Sequence, residues 1–251
     1  MKLLAIDSAT ERLALAAIDD GRVSGAEPLR RERCRVAVEE VPGGAMASTV
    51  ALPLLARLLA AQGWSFADLD AVAFGQGPGA FTGLRTACAV AQGLAYGQDI
   101  PVVPIDSLAL VAEDARAQLG ASAIGDEPVW VAMDARMDEI YAGCYAPDVD
   151  GGWRTEMAPK LLSVEALAAR WSEAPPSFVT GTALNVFGER LAVRGARRVA
   201  QEVSRGAALG WLAAWGFAHG AGVPAASALP VYVRDKVAQT TAERLLAKAA
   251  P

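Results

Sequence analysis

The stretch GQGPGAFTGLR, Gly75 to Arg85, follows the apolar run Ala71-Val72-Ala73-Phe74 and leads into a segment of helical pattern. Strand, glycine-rich turn and helix in succession place the chain in the α/β class. Loops of this kind often hold phosphate, so the same stretch frames the functional question. A Walker A loop needs GxxxxGK[ST], whose lysine neutralises terminal phosphates. Gly77 or Gly79 can begin such a count, but no lysine follows, which excludes that loop type. Gly75-x-Gly77-x-x-Ala80 matches the dinucleotide fingerprint formally. The helix, however, starts only near Thr82, and the next strand's acid, Asp106, comes about thirty residues on instead of roughly twenty. Two readings remain. One is a strand-to-helix elbow, with Gly77 and Gly79 permitting positive φ and Pro78 stiffening the turn. The other is a nest of N–H groups at a helix N-terminus that accepts an anion. Arg85 bears on both: a cation in the first turn opposes the helix dipole unless a phosphate, an internal acid or a partner's carboxylate answers it.

Working outward, KLLAID (2–7) and LALAAID (13–19) read as strands, with Asp20-Gly21 as a tight turn. Val23–Leu29 and Cys34–Val41 read as further strands of an antiparallel meander. STVALPLLARLLAAQ (48–62) predicts a helix capped by Ser48 or Thr49 and stopped by Gly63, with Pro53 near its first turn. It carries two apolar stripes, Leu52, Leu55, Leu59 and Leu54, Leu58, Ala61, so one covers the sheet and the other needs a second cover. The helix from Thr82 to Tyr96, with Gly97 as its stop, is rich in small residues, and Gly93 inside it suggests close backbone approach. IPVVPID (100–106) is a strand and Ser107–Gln118 a helix. After a break at Gly120–Pro128, strands are expected at 129–135, 139–146, 153–162 and 178–180, and helices at 164–171, 184–191 and 205–218. The order βββ–α–β–α–β–α followed by a second mixed set implies a mixed sheet.

The 251 residues are 53% hydrophobic and 20% charged, a globular composition. No apolar run approaches the roughly 18 residues of a membrane helix, and Asp7 interrupts the N-terminal segment too early for a signal peptide. A soluble, unexported chain is expected. Its three scattered cysteines fit reduced, structural thiols. A single histidine, His219, excludes sites that need two imidazoles. The net charge of −5 disfavours independent grip on nucleic acid. The basic runs at Arg30–Arg35 and Arg194–Arg198 read as solvated edges.

Asp7-Ser8-Ala9-Thr10 joins the first two strands. In actin-like and sugar-kinase ATPases an N-terminal Asp-x-(Ser/Thr)-x-(Ser/Thr) turn meets phosphate and magnesium, whereas a simple Asx or ST turn closing a hairpin reads equally well. Asp7, Ser8, Thr10, Gly77 and Gly79 are therefore the candidate anion or nucleotide contacts.

LAIDSAT (4–10), GQGPGAFTGLR with the following AVAQGLA (89–95), MDARMDEIYAGCY (133–145) and LPVYVRDKVA (229–238) together resemble, in that order, the TsaB (YeaZ) family. The glycine block is similar to that family's GxGPGSFTGLR hallmark, with Ala80 for the serine. Ala47 stands where the family often has a histidine before its first long helix. The resemblance implies an actin-like (ASKHA, ribonuclease H-like) two-lobed α/β fold with mixed sheets flanked by helices. Its lobes would be 1–106 plus about 205–251, carrying the dimerisation helices, and a smaller one of about 107–204. It implies a cytoplasmic, non-catalytic subunit that binds and activates TsaD for transfer of threonylcarbamoyl to N6 of adenosine 37 in tRNAs reading ANN codons. TsaE is a further partner, a homodimer forms through the TsaD face, and tRNA is met only through the complex. No catalytic residue, metal or tightly bound cofactor is expected. ATP, ADP and magnesium would enter only in the assembly. The two striped helices then share one role: packed side by side, they present Leu52, Leu55, Leu59, Arg85, Val90 and Leu94 to a partner. The alternative from the residues is an independent nucleotide-hydrolysing enzyme using Asp7, Ser8, Thr10 and the glycine loop. A glycoprotease lacks the histidines it would need.

Overall fold

In a computed structural model, which describes residues 1–21, 28–199 and 201–234, the chain forms two five-stranded sheets. The first holds β1 (Lys2–Asp7), β2 (Arg12–Asp19) and β3 (Arg35–Pro42), then α1 (Ala47–Ala61), β4 (Ala71–Gly77), α2 (Phe81–Gln98) and β5 (Val102–Asp106). Next come α3 (Ser107–Leu119) and the short α4 (Ala121–Ile124). The second sheet holds β6 (Val129–Asp134), β7 (Glu139–Pro147) and β8 (Trp153–Ser163), then α5 (Val164–Glu173), β9 (Phe178–Thr180), α6 (Ala183–Val186) and β10 (Arg197–Val199). Helix α7 (Arg205–Ala218) returns to the first sheet.

The strand orders are β3-β2-β1-β4-β5 and β10-β9-β6-β7-β8. In each, the first strand lies at the centre, with two antiparallel strands on one side and two parallel strands on the other. This is the two-lobed, actin-like α/β architecture with mixed sheets. No sequence repeat announces the duplication. α1 and α2 lie side by side on one face of the first sheet, over a core of Leu4, Ile6, Leu15, Leu55, Leu59, Phe74 and Ala91. α3 and α7 fill the space between the sheets, where Leu3, Ile18, Val103, Leu110, Val131, Tyr145 and Leu209 form one continuous core. α5 and α6 cover the outer face of the second sheet around Ile140, Leu167 and Trp171.

Local signals hold at several helix starts. Asp106, Ser163 and Ser204 accept N–H bonds at the starts of α3, α5 and α7. Elsewhere tertiary contacts override them. α1 begins at Ala47, continuing a 3₁₀ turn at Gly44–Met46, and neither Ser48 nor Thr49 caps it. α2 begins at Phe81, not Thr82, because Ala80 N–H is held by the Ala9 carbonyl (2.7 Å) before its own carbonyl opens the helix. α2 also runs through Gly97 to end at left-handed Asp99 (φ 53°). The expected helix 184–191 breaks at Gly188 (φ 50°) into α6 and a 3₁₀ turn. Asp20-Gly21 is no two-residue hairpin, since Asp19 pairs with Arg35 across a long connection. Most of the strand expected at Val23–Leu29 lies outside the described residues. Gly93 is exposed, and nothing in the described chain would meet a Cβ there. Arg31 is no free edge cation: it reaches buried Glu113 (2.5 Å) and stacks on Trp211. Cys88 and Cys144 are buried and Cys34 half-buried, and none pairs with another.

Candidate functional site

The N-terminal acid lies at the end of a strand that is central and covered on both faces. Asp7 is fully buried. Its Oδ1 accepts from Arg205 Nε (2.6 Å) and Ala9 N–H (3.2 Å), and its Oδ2 accepts from Ser107 Oγ (2.9 Å). Gly77 N–H in turn donates to Ser107 Oγ (3.1 Å). The Arg205 guanidinium also donates to Glu202 (2.9 Å) and to the Ser107 carbonyl (3.1 Å). Burial alone pulls its pKa down. Asp7 and Glu202 together outweigh that and hold it above its usual value.

The glycines of the elbow are explained by this closure. A Cβ on Gly75 would stand 1.7 Å from Asp7 Oδ2, on Gly79 2.4 Å from the Ala9 carbonyl oxygen, and on Gly83 1.8 Å from that of Ser8. The elbow is packed directly onto the acid turn at Gly75, Gly79 and Gly83. Ala9 N–H to Asp7 and Arg12 N–H to Thr10 (3.2 Å) make Asx and ST turns. The Ser8 hydroxyl is buried without a hydrogen-bond partner among the described residues. Asp7, Ser8 and Gly77 are thus buried in one closed joint, while Thr10 and Gly79 lie at its partly exposed margin, Gly79 on the wall of the groove described next.

A second feature opens between the lobes. A groove of about 250 Å³ is walled by Pro78, Phe81, Arg136, Met137, Tyr141 and Tyr232, among others. Three distant stretches build it: the elbow, the β6–β7 turn and residues 231–234. The last of these crosses from lobe to lobe. Val231 N–H donates to the Gln76 carbonyl (2.7 Å). Arg234 donates to the Ala135 carbonyl (2.8 Å) and pairs with Glu139 (2.7 Å). Between those anchors the β6–β7 turn carries three consecutive non-glycine residues at positive φ, Arg136 (65°), Met137 (58°) and Asp138 (58°). Each costs about 1–2 kcal/mol against the right-handed form, and such strain persists only where the surroundings impose it.

Behind the groove Tyr145 Oη donates to Asp106 (2.7 Å), joining β7 to β5. Burial, more than the hydrogen bonds that oppose it, raises the Asp106 pKa. Burial and then the Asp106 charge raise that of Tyr145.

Of the residues expected at a partner face, Leu52 is 47% exposed, but Leu55 and Leu59 are sealed against the chain's own sheet. Val90 and Leu94 are half-buried at the margin of that core. Exposed Tyr96 is on α2, and exposed Met46 is in the 3₁₀ turn that leads into α1. Arg85 turns to the crossing segment instead: it stacks on Phe81 (4.0 Å) and Nε donates to Tyr232 Oη (3.1 Å). Arg205 and Ser107 were not singled out from sequence. The rule that flagged Arg85, a cation opening a helix, applies equally to Arg205 at the start of α7. Among the described residues no group of three or more metal-binding side chains occurs.

Residues 46–167 match the family described as "TsaD: tRNA N6-adenosine threonylcarbamoyltransferase". Over 243 residues the chain is 33% identical to the tRNA threonylcarbamoyladenosine biosynthesis protein TsaB of Escherichia coli, covering 95% of this chain and 96% of that protein. The solved structure of YeaZ from Pseudomonas aeruginosa is 35% identical, with a TM-score of 0.74 over 92% of this chain and 99% of that one. Another structure, described as similar to peptidase YEAZ from Pseudomonas aeruginosa, is 34% identical, with a TM-score of 0.76 over 93% and 99%.

Proposed function

The chain belongs to the TsaB family, and from that premise we propose that it is the non-catalytic subunit that binds and activates TsaD for threonylcarbamoyl transfer to N6 of adenosine 37 in tRNAs reading ANN codons. One observation carries this. Asp7, the acid that would meet phosphate and magnesium in an actin-like ATPase, is fully buried and bonded to Arg205 and Ser107. Its carboxylate has no open side. Turnover is therefore assigned to the partner, with no tightly bound cofactor in the isolated chain. ATP, ADP and magnesium join only in the assembly with TsaD and TsaE, and tRNA is met there. The lobe division at 1–106 with about 205–251, against about 107–204, belongs to the same proposal, as does a cytoplasmic location. No helix among the described residues is long and apolar enough to cross a membrane.

The contact surface is the outer side of α1 and α2. Leu52, Met46 and Tyr96 are its exposed apolar groups, flanked by Val90 and Leu94. TsaD and a second copy of the chain use it in turn. Co-elution with TsaD, with and without ATP, tests this. Wild type should form a complex and show no ATP turnover alone, and Leu52→Glu should abolish both complex and homodimer. Turnover by the isolated chain would instead establish the nucleotide-hydrolysing alternative, and a Leu52→Glu protein that still pairs would exclude this face.

A further inference from the structure

We propose that the inter-lobe groove, separate from the α1–α2 face, receives a short segment of a partner protein that carries a carboxylate next to an aromatic or branched aliphatic side chain. Charge complementarity singles out the acid. Arg136 is answered by Asp134 (3.2 Å) and Glu11 (2.8 Å), and Arg234 by Glu139. Arg85 stands outside the lining but against two of the wall residues, Phe81 and Tyr232, and it has no carboxylate within salt-bridge distance among the described residues. Its one hydrogen bond, to Tyr232, uses Nε and leaves the outward fork of the guanidinium open. The Phe81 ring lies against the guanidinium at 4.0 Å, and the Tyr232 hydroxyl fixes its Nε. A guanidinium preset in this way recognises a carboxylate in two-pronged fashion with little ordering cost.

The apolar half of the ligand follows from the walls. Phe81, Leu84, Met137, Tyr141, Val231 and Tyr232 surround the space, and Met137 is 68% exposed. Arginine, tyrosine, phenylalanine and methionine are the side chains enriched where proteins dock. The volume, about 250 Å³, falls below the roughly 300–1,000 Å³ of small-molecule pockets. It suits one or two side chains of an extended peptide. The strained β6–β7 turn keeps Met137 at the lip, and Arg234 holds that turn by its carbonyls.

Selection of random peptides displayed on phage against the full chain, followed by fluorescence anisotropy on the enriched sequences, tests the proposal. Enriched peptides should pair Asp or Glu with a neighbouring aromatic or branched aliphatic residue. Arg85→Leu should weaken their binding roughly tenfold or more. Arg85→Lys, which keeps the charge but not the stacked fork, should fall between, and Leu52→Glu should bind as wild type does. Thermal melting of each variant confirms an intact fold, since Arg85 is exposed. The proposal is overturned if no peptide is enriched, if the enriched peptides lack an acid, or if Arg85→Leu binds them unchanged. It is also overturned if a single-stranded oligoadenylate displaces them through Arg85, which would make the groove a nucleic-acid contact.

Discussion

The two lobes use the same device to opposite ends. In each sheet the central first strand ends on an aspartate, Asp7 or Asp134, which accepts the N–H two residues on (3.2 and 2.9 Å). In the first lobe Arg205 enters the fold from α7, Ser107 closes the other oxygen, and the carboxylate is fully enclosed. In the second lobe no helix among the described residues delivers a buried cation to Asp134. Asp134 pairs with Arg136 on its own turn, which stays strained and faces the groove. The turn is thus a topological feature of a central strand meeting an antiparallel neighbour. Whether it becomes a joint or a surface depends on what packs above it.

Removing the cation on each side should separate the lobes most widely. Arg205→Met strands a buried carboxylate, so a loss of about 3–5 kcal/mol in chemical denaturation is expected. Adding Asp7→Asn should recover part of it as a coupling energy. Arg136→Leu, on the exposed turn, should leave the denaturation midpoint unchanged. Equal losses at the two sites would dissolve the contrast.

Next in size is the elbow. Gly75→Ala drives a methyl into a carboxylate that Arg205 and Ser107 hold still, and a loss of about 3 kcal/mol is expected. Denaturation indistinguishable from wild type would show the joint to be looser than its contacts imply.

The smallest effect concerns the seam between lobes. Burial raises the pKa of Asp106 above its unfolded value of about 4. A carboxyl raised on folding favours the folded state at low pH. That contribution fades as pH rises through the folded value. Asp106→Asn should therefore gain stability relative to wild type as pH increases from acid to neutral, while keeping the α3 cap. A difference that is flat with pH would remove Asp106 from the seam's electrostatics.

Much of the fold was legible because its signals are local. The strand at Phe178–Thr180 and the helix at Arg205–Ala218 occupy the residues their apolar pattern indicates. Four spaced motifs sufficed to indicate the family. The site was less legible. Leu52, Leu55 and Leu59 form one stripe on a helical wheel, yet the sheet takes Leu55 and Leu59 and leaves Leu52 outside. Arg85 was flagged as a first-turn cation, but α2 begins at Phe81 and puts it in the second turn, and its direction was set by Tyr232, which lies 147 residues away.

By itself the sequence determined most of the strands and helices, the family, and the exclusion of histidine-based and Walker-type chemistry. Each of these follows from residue type and short-range spacing. Only the tertiary structure decided that Asp7 meets Arg205, 198 residues along the chain, and that Gly75, Gly79 and Gly83 pack directly against the acid turn. It also decided that three remote motifs wall one groove. Such pairings depend on which faces of distant elements pack together, and no local period encodes that choice.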